Sequence, residues 1–492
     1  MRNKELKAAA ISGTLWSGID ALARQGLQLL VSIVLARLLS PEEFGTIGLL
    51  ALFIGVARVF IDAGFASALI QRQEVNEVDL SSVFFFNICV SLLFAICLCL
   101  CASWIAGFYR MPILMPLTWM LAANLVVGSF GSVQGMLLTK SLNFRRHCTI
   151  SLAAQTFSGS LAVILAWKGF GVWSLAVQSI MATLATTLLL WQSSTWRPKW
   201  LFSLSAIRSL FRFGSFLLLS ALLETLFSRL NSLVIGRLYS ATTLGYYSRA
   251  DSTCLIPANL ISGVLSRVAF PIFANAKDDP SLLRSGLRKA ITLSMLVNVP
   301  TMLGLTAVAQ ALVLVLFGEK WLPCVPYLQI LSLGALLWPL HVLNLNVLTA
   351  LGHSRLFFRL EVIKKVFGIS VVGVTALLGV EAIAWGMVLV GVVCFYINSF
   401  YSGRLVGYGA IPQSLDLLPC LVIGTIMAAC SWSVSLLPIA SPVLTLSAQI
   451  VVGVVVFIGL CALLRVSAFL EAWSIAKPLL VACRSRIQAG GP

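Results

Sequence analysis

Val34-Leu35-Ala36-Arg37-Leu38-Leu39-Ser40-Pro41-Glu42-Glu43-Phe44-Gly45 returns later in the chain as Val234-Ile235-Gly236-Arg237-Leu238-Tyr239-Ser240-Ala241-Thr242-Thr243-Leu244-Gly245, at an offset of 200. Val, Arg, Leu, Ser and Gly match in register. A second echo pairs Leu138-Thr139 with Leu348-Thr349 and Arg145 with Arg355, at an offset of 210. Each copy joins two apolar runs of about 20 residues, long enough to cross ~30 Å of hydrocarbon as a helix. Such runs fill the 492-residue chain, near 13–37, 44–70, 83–108, 113–139, 148–167, 172–193, 213–238, 247–273, 287–317, 325–351, 358–379, 381–403, 415–437 and 443–466.

Composition agrees. Hydrophobic residues make up 59% and charged residues 10%, and mean hydropathy is +0.98. A soluble chain of this size needs more charge to cover its surface. Barrel strands would be half as long and would alternate polar with apolar. The net charge of +17 suits a membrane topology better than nucleic acid. Of the 34 basic residues, 24 fall in alternate loops on one side, among them Arg145, Arg146, Arg284, Arg288, Lys289, Lys364 and Arg465. Arg37, Arg110, Lys168, Arg237 and Lys320 fall on the other. Cytoplasmic loops carry the excess of Lys and Arg, so both termini are expected inside.

The reading is an all-α polytopic membrane protein of about 14 transmembrane helices. Two six-helix lobes form a parallel repeat, followed by two C-terminal helices. Residues 1–200 are the N-lobe (spans 1–6), 201–410 the C-lobe (spans 7–12), 411–466 spans 13 and 14, and 467–492 a cytoplasmic tail, expected on the inner membrane surface or partly disordered. The twelve cysteines show no C-x-x-C pair. Cys97, Cys99 and Cys101 read as apolar packing rather than a metal site. The absence of G-x-x-x-x-G-K-[ST] argues against ATP hydrolysis by the chain itself.

A charge at the bilayer centre is costly even on mild scales, about 2.5–3.5 kcal/mol. Span 1 carries Asp20, Arg24 and Gln28 on one helical stripe, and span 2 carries Arg58 and Asp62. Arg24 and Arg58 lie 17 residues either side of Pro41, and Asp20 and Asp62 lie 21 either side. In an antiparallel pair each set would share one depth. The second lobe differs: span 7 holds Glu224, Arg229 and Asn231, and span 8 holds Arg249, Asp251 and Arg267. Glu224 stands where the repeat would place Arg24. The bland alternative is that Asp20–Arg24 and Arg58–Asp62 are neutralising i,i+4 pairs. The functional one is a water-filled cavity whose arginines hold an anionic group, since the guanidinium fork binds two phosphate oxygens at once. Candidate cavity residues are therefore Arg24, Arg58, Gln28, Arg229, Asn231, Arg249 and Arg267. Asp20, Asp62, Glu224 and Asp251 would tune charge or couple transport to an ion. His341 and Asn344 in span 10 could line the cavity. Pro257 and Pro300 are expected kinks.

Three stretches carry a family resemblance. Ala36-Arg37-Leu38-Leu39-Ser40-Pro41-Glu42-Glu43-Phe44-Gly45, then Asp62-Ala63-Gly64-Phe65 and Ala68-Leu69-Ile70-Gln71, resembles the opening of Wzx-type polysaccharide flippases. Leu244-Gly245-Tyr246-Tyr247-Ser248-Arg249-Ala250 is similar to their second-lobe counterpart. Phe317-Gly318-Glu319-Lys320-Trp321-Leu322-Pro323 is similar to the segment joining their ninth and tenth spans. The resemblance runs from about residue 10 to about 410. It implies the fold of the multidrug/oligosaccharidyl-lipid/polysaccharide exporter superfamily, in the branch with colanic acid and succinoglycan exporters. It further implies a transporter, not an enzyme, in the bacterial inner membrane. Its substrate would be an undecaprenyl-pyrophosphate-linked glycan, turned between leaflets by alternating access. Membrane lipids and the polysaccharide polymerase or export machinery are the implied partners, and nucleic acid is not. No cofactor is implied; proton or sodium coupling is left open. The alternative on the same fold is an ion-coupled drug antiporter, which should prefer a carboxylate-lined, arginine-poor site.

Overall fold

The computed structural model describes residues 23–62, 65, 69, 76–141, 143–275, 279–439, 441–474 and 477. Among the described residues regular structure is helical throughout. The physical reason is that a helix pairs its own backbone groups, which hydrocarbon cannot do. Among the described residues ten helices are long and apolar enough to cross a membrane, or eleven if one bent pair counts as a span. Each of the fourteen expected spans overlaps a helix. The three that fail on apolar length are the partly described first one, the eighth with Arg249, Asp251 and Arg267, and the eleventh with Arg355, Arg359, Glu361, Lys364 and Lys365.

The chain divides into two compact units, residues 1–248 and 249–492. The first holds α1 (23–38), α2 (Pro41–Asp62), α3 (Glu77–Tyr109), α4 (Leu114–Ser129), α5 (Ser132–Lys140), α6 (Phe144–Trp167), α7 (Val172–Ser193), α8 (Leu204–Leu238) and the start of α9 (Ala241–Asn275). α3 packs on α4, α6 on α7, and α2 on α8. The expected span 113–139 is broken: α4 and α5 bend by 44°. α7 takes up the carbonyls around the break. Thr187 Oγ1 donates to Val127 O at 3.3 Å, and Trp191 Nε1 donates to Phe130 O at 2.8 Å. Side chains of neighbouring helices can thus satisfy a broken span.

The duplicated motif has a structural basis. Ser40 caps α2: the Glu43 amide donates to Ser40 Oγ at 3.4 Å, and the Ser40 amide donates to Glu43 Oε2 at 2.6 Å. With Pro41 in the first turn this is a capping box. Ser240 caps α9 in the same way, accepting from the Thr243 amide at 3.1 Å. The two helix starts then meet. A Cβ built on Gly45 would lie 1.7 Å from Ala241 O, and one on Gly245 would lie 1.9 Å from Pro41 O. Residues related by the offset of 200 exchange contacts, so this crossing has a local two-fold. Only glycine fits at either position. Gly236, whose Cβ would lie 2.1 Å from Leu49 Cδ2, continues the close approach of α8 to α2.

The second unit holds the rest of α9, then α10 (Pro280–Leu316), a 3-10 turn Glu319–Cys324, α11 (Val325–Ala335), α12 (Trp338–Ala350), α13 (Ser354–Thr375), α14 (Val380–Val406), α15 (Ala410–Ser433) and α16 (Pro442–Leu463). α10 is central, packing on α11, α12, α15 and α16. Its start is set by Asp279, which accepts from the Ser281 and Leu282 amides at 2.9 and 3.1 Å, followed by Pro280. Those bonds and the Ser281 hydroxyl hold the exposed Asp279 carboxyl below the usual range. Asn298 of α10 donates to Leu336 O at 2.8 Å, at the break between α11 and α12. The described start of the expected tail is a short helix over 467–474, with Val466, Phe469 and Ala472 packed on the core and Trp473 exposed.

Candidate functional site

Within the first unit, α1, α6 and α7 enclose a cavity of about 500 Å³. Arg24 and Gln28 enter from α1. His147, Ser151, Gln155 and Ser158 enter from α6, and Gln178, Ser179 and Thr186 from α7. Much of this hydrogen-bonding capacity is used locally. Ser151 Oγ donates to His147 O at 2.6 Å, Thr186 Oγ1 donates to Ala182 O at 2.7 Å, and Ser179 Oγ accepts from Asn124 Nδ2 at 2.9 Å. The side-chain amides of Gln28, Gln155 and Gln178 make no hydrogen bond among the described residues. An amide without a partner is costly in an apolar bundle, so these three mark the cavity as a place for water or a polar ligand. No lining residue among those described is acidic. The arginine and the amides together can hold an anion flanked by hydroxyl groups.

The other sequence candidates are spread more widely. Arg58 and Asp62 are exposed on α2 and do not line this cavity. Asp20 lies outside the described residues, so the expected carboxylate layer is described only at Asp62. Glu224 and Arg229 are exposed on α8. Asn231 is half-buried and donates to the Tyr247 hydroxyl at 3.1 Å. Arg249 is 8% exposed, with its guanidinium 5.1 Å from the Phe317 ring and 5.0 Å from the Trp321 ring. Two stretches quoted above for their resemblance, 244–250 and 317–323, therefore meet through a cation–π stack. Asp251 is half-buried on α9, and the side chain of Arg267 lies outside the described ones.

The sequence profile of the family described as "Polysaccharide biosynthesis protein" matches residues 34–326, more than half of the chain. The chain belongs to this polysaccharide biosynthesis family. It is 30% identical over 338 residues to lipopolysaccharide biosynthesis protein WzxC of Escherichia coli (strain K12), covering 68% of each chain. It is 28% identical over 429 residues to teichuronic acid biosynthesis protein TuaB of Bacillus subtilis (strain 168), covering 87% of this chain and 89% of that one. Its fold matches that of the lipid II flippase MurJ in an inward closed conformation, with a TM-score of 0.76 at 15% identity over 92% of this chain and 98% of that one. The resemblance read from residues 36–71, 244–250 and 317–323 is borne out, as is the multi-pass membrane fold.

This polysaccharide biosynthesis protein also carries polar groups that sequence reading missed or placed elsewhere. The charge asymmetry places Lys364 among the loop cations. It lies within α13, 9% exposed and paired with Glu361. Their i,i+3 spacing was the available signal. Asn398 Nδ2 and His341 Nδ1 are 3.3 Å apart, so the lone histidine is a hydrogen-bonded one. Asn344 and Gln413 exchange amide hydrogen bonds at 2.9 and 3.0 Å. Pro257 and Pro300 both line an apolar cavity of about 560 Å³ with residues of α10, α15 and α16. Gln155 and Gln178 left no sequence signal, since a lone Gln in an apolar run does not reveal which way it faces.

Proposed function

We propose that this protein is a flippase of the bacterial inner membrane. It turns a polyprenyl-pyrophosphate-linked oligosaccharide from the cytoplasmic to the outer leaflet by alternating access, with fourteen spans and both termini inside. The observation that carries this reading is Arg24 in a polar cavity with the open amides of Gln28, Gln155 and Gln178. Arg24 binds the pyrophosphate, and Gln28, Gln155 and Gln178 meet hydroxyl groups of the attached sugar. A guanidinium in a low-dielectric site attracts such an anion far more than it would in water. Family membership and the relatives' roles in lipopolysaccharide and teichuronic acid biosynthesis support the substrate class. Arg58 and Arg229, exposed on α2 and α8, extend the cationic surface. Coupling to a proton or sodium ion through Asp62, Glu224 or Asp251 belongs to the same proposal.

A drug antiporter on this fold would bind cations, and a cavity that holds an arginine disfavours it. The test is gene deletion with mass spectrometry of lipid-linked glycans, followed by leaflet assignment. The expected result is one such lipid accumulating on the cytoplasmic side. If no lipid-linked sugar accumulates, the proposal fails.

A further inference from the structure

At one end of the second unit, α10, α15 and the turn after α16 enclose a cleft of about 810 Å³. This is the end that the charge asymmetry assigns to the cytoplasm. Its wall is apolar, with Leu415, Leu418 and Val422 of α15, each at least half exposed. Its rim is cationic, with Arg288, Lys289 and Arg465. The two rim acids are unequally used. Asp416 is saturated: Arg288 donates to both its oxygens at 2.8 and 2.6 Å, and the Tyr408 hydroxyl donates at 2.7 Å. Glu471 reaches the Lys289 ammonium only at 3.6 Å, longer than a direct hydrogen bond. Arg465 has no carboxylate partner among the described residues.

The backbone at Arg465 adds to this. It has φ +48° and follows α16 at the left-handed position of a helix-ending turn, with the Val466 amide donating to Cys461 O at 3.1 Å. Glycine is the usual residue there. An arginine accepts backbone strain and places a cation in the cleft.

We propose that this cleft binds an anionic phospholipid, its phosphate between Lys289 and Arg465 and its acyl chains along the α15 wall. Charge complementarity and the exposed apolar wall below the rim select that occupant. Basic pockets between membrane helices suit anionic headgroups, and a soluble anion would have no use for the wall. The bound lipid ties α10 to the end of α16. This site is separate from the Arg24 cavity and stands whether or not the flippase reading does.

The test uses the full-length protein in nanodiscs of phosphatidylcholine, with or without phosphatidylglycerol. Native mass spectrometry reads lipid retention and thermal unfolding reads stability. Phosphatidylglycerol should be retained and should raise the unfolding temperature. Removing both cations in Lys289→Ala/Arg465→Ala should weaken retention about 25-fold, about fivefold per basic residue. The unfolding temperature in phosphatidylcholine alone should stay unchanged. Glu471→Gln frees Lys289 and should tighten retention, which a merely destabilised protein would not do. Equal retention by wild type and the double variant overturns the proposal. So does the same loss from Arg355→Ala/Arg359→Ala at the same membrane end. Displacement of the phospholipid by polyprenyl phosphate, or an equal effect from inorganic phosphate alone, overturns it in favour of another occupant.

Discussion

Two clusters of polar groups, one in each unit, use their hydrogen-bonding capacity differently. In the first, Gln28, Gln155 and Gln178 face a cavity beside Arg24 with their amides open. In the second, Asn344 and Gln413 satisfy each other, Arg249 lies against two aromatic rings, and Lys364 is paired with Glu361. Satisfied polar networks rigidify a bundle, whereas open ones await a partner. The difference lies in how hydrogen-bonding capacity is spent: left open toward a cavity in one cluster, and used on the protein itself in the other.

Four sets of substitutions would break or sharpen that contrast and the helix crossing beside it. The largest effect is expected at Lys364→Met or Glu361→Gln. Lys364 is buried and Glu361 partly so, and removing one member should cost about 3 kcal/mol, while the double change to leucine should be near neutral. Thermal unfolding in detergent reads this. A double variant that folds but fails to transport would show that the second unit also spends charge on function. Next is Arg24→Ala, which should reduce glycan export about thirtyfold or more at unchanged protein level, as expected when a buried charge partner is lost. Lost folded protein instead would make Arg24 structural and erase the contrast.

Gly45→Ala and Gly245→Ala should each destabilise by about 1–3 kcal/mol or more, because the new methyl meets a backbone oxygen. The local two-fold predicts similar losses at the two sites, measured as shifts in unfolding temperature. A clear inequality would show that only one helix start is rigid. The smallest effect is at the caps. Ser40→Ala and Ser240→Ala should each cost ~1 kcal/mol. Ser40 should be the more sensitive, since its capping box has a reciprocal partner in Glu43.

Much of this was legible in the chain. Apolar runs placed a helix at each of the fourteen expected spans, because hydrocarbon tolerates few alternatives to a helix. The Ser-Pro-Glu-Glu-Phe-Gly run was legible as a motif, and its capping chemistry follows from residue type and spacing alone. Arg24 and Gln28 were legible as a polar stripe. Their neighbours were not. Depth matching set Arg24 beside Arg58, since it assumed that consecutive helices share a site. Yet the cavity at Arg24 is completed by α6 and α7, more than a hundred residues away. Lys364 was misplaced because a cation near a helix start reads as a loop residue until its burial is known.

The sequence by itself determined the membrane solvent, the helix positions, the duplication and the family, since each depends on composition, period or local spacing. Tertiary structure alone decided which polar side chains remain open. That depends on which helix faces meet, and a single polar residue in an apolar run carries no record of the face it will turn toward. The repeat was written in the chain; the crossing at Gly45 and Gly245, where its two copies touch, required the fold.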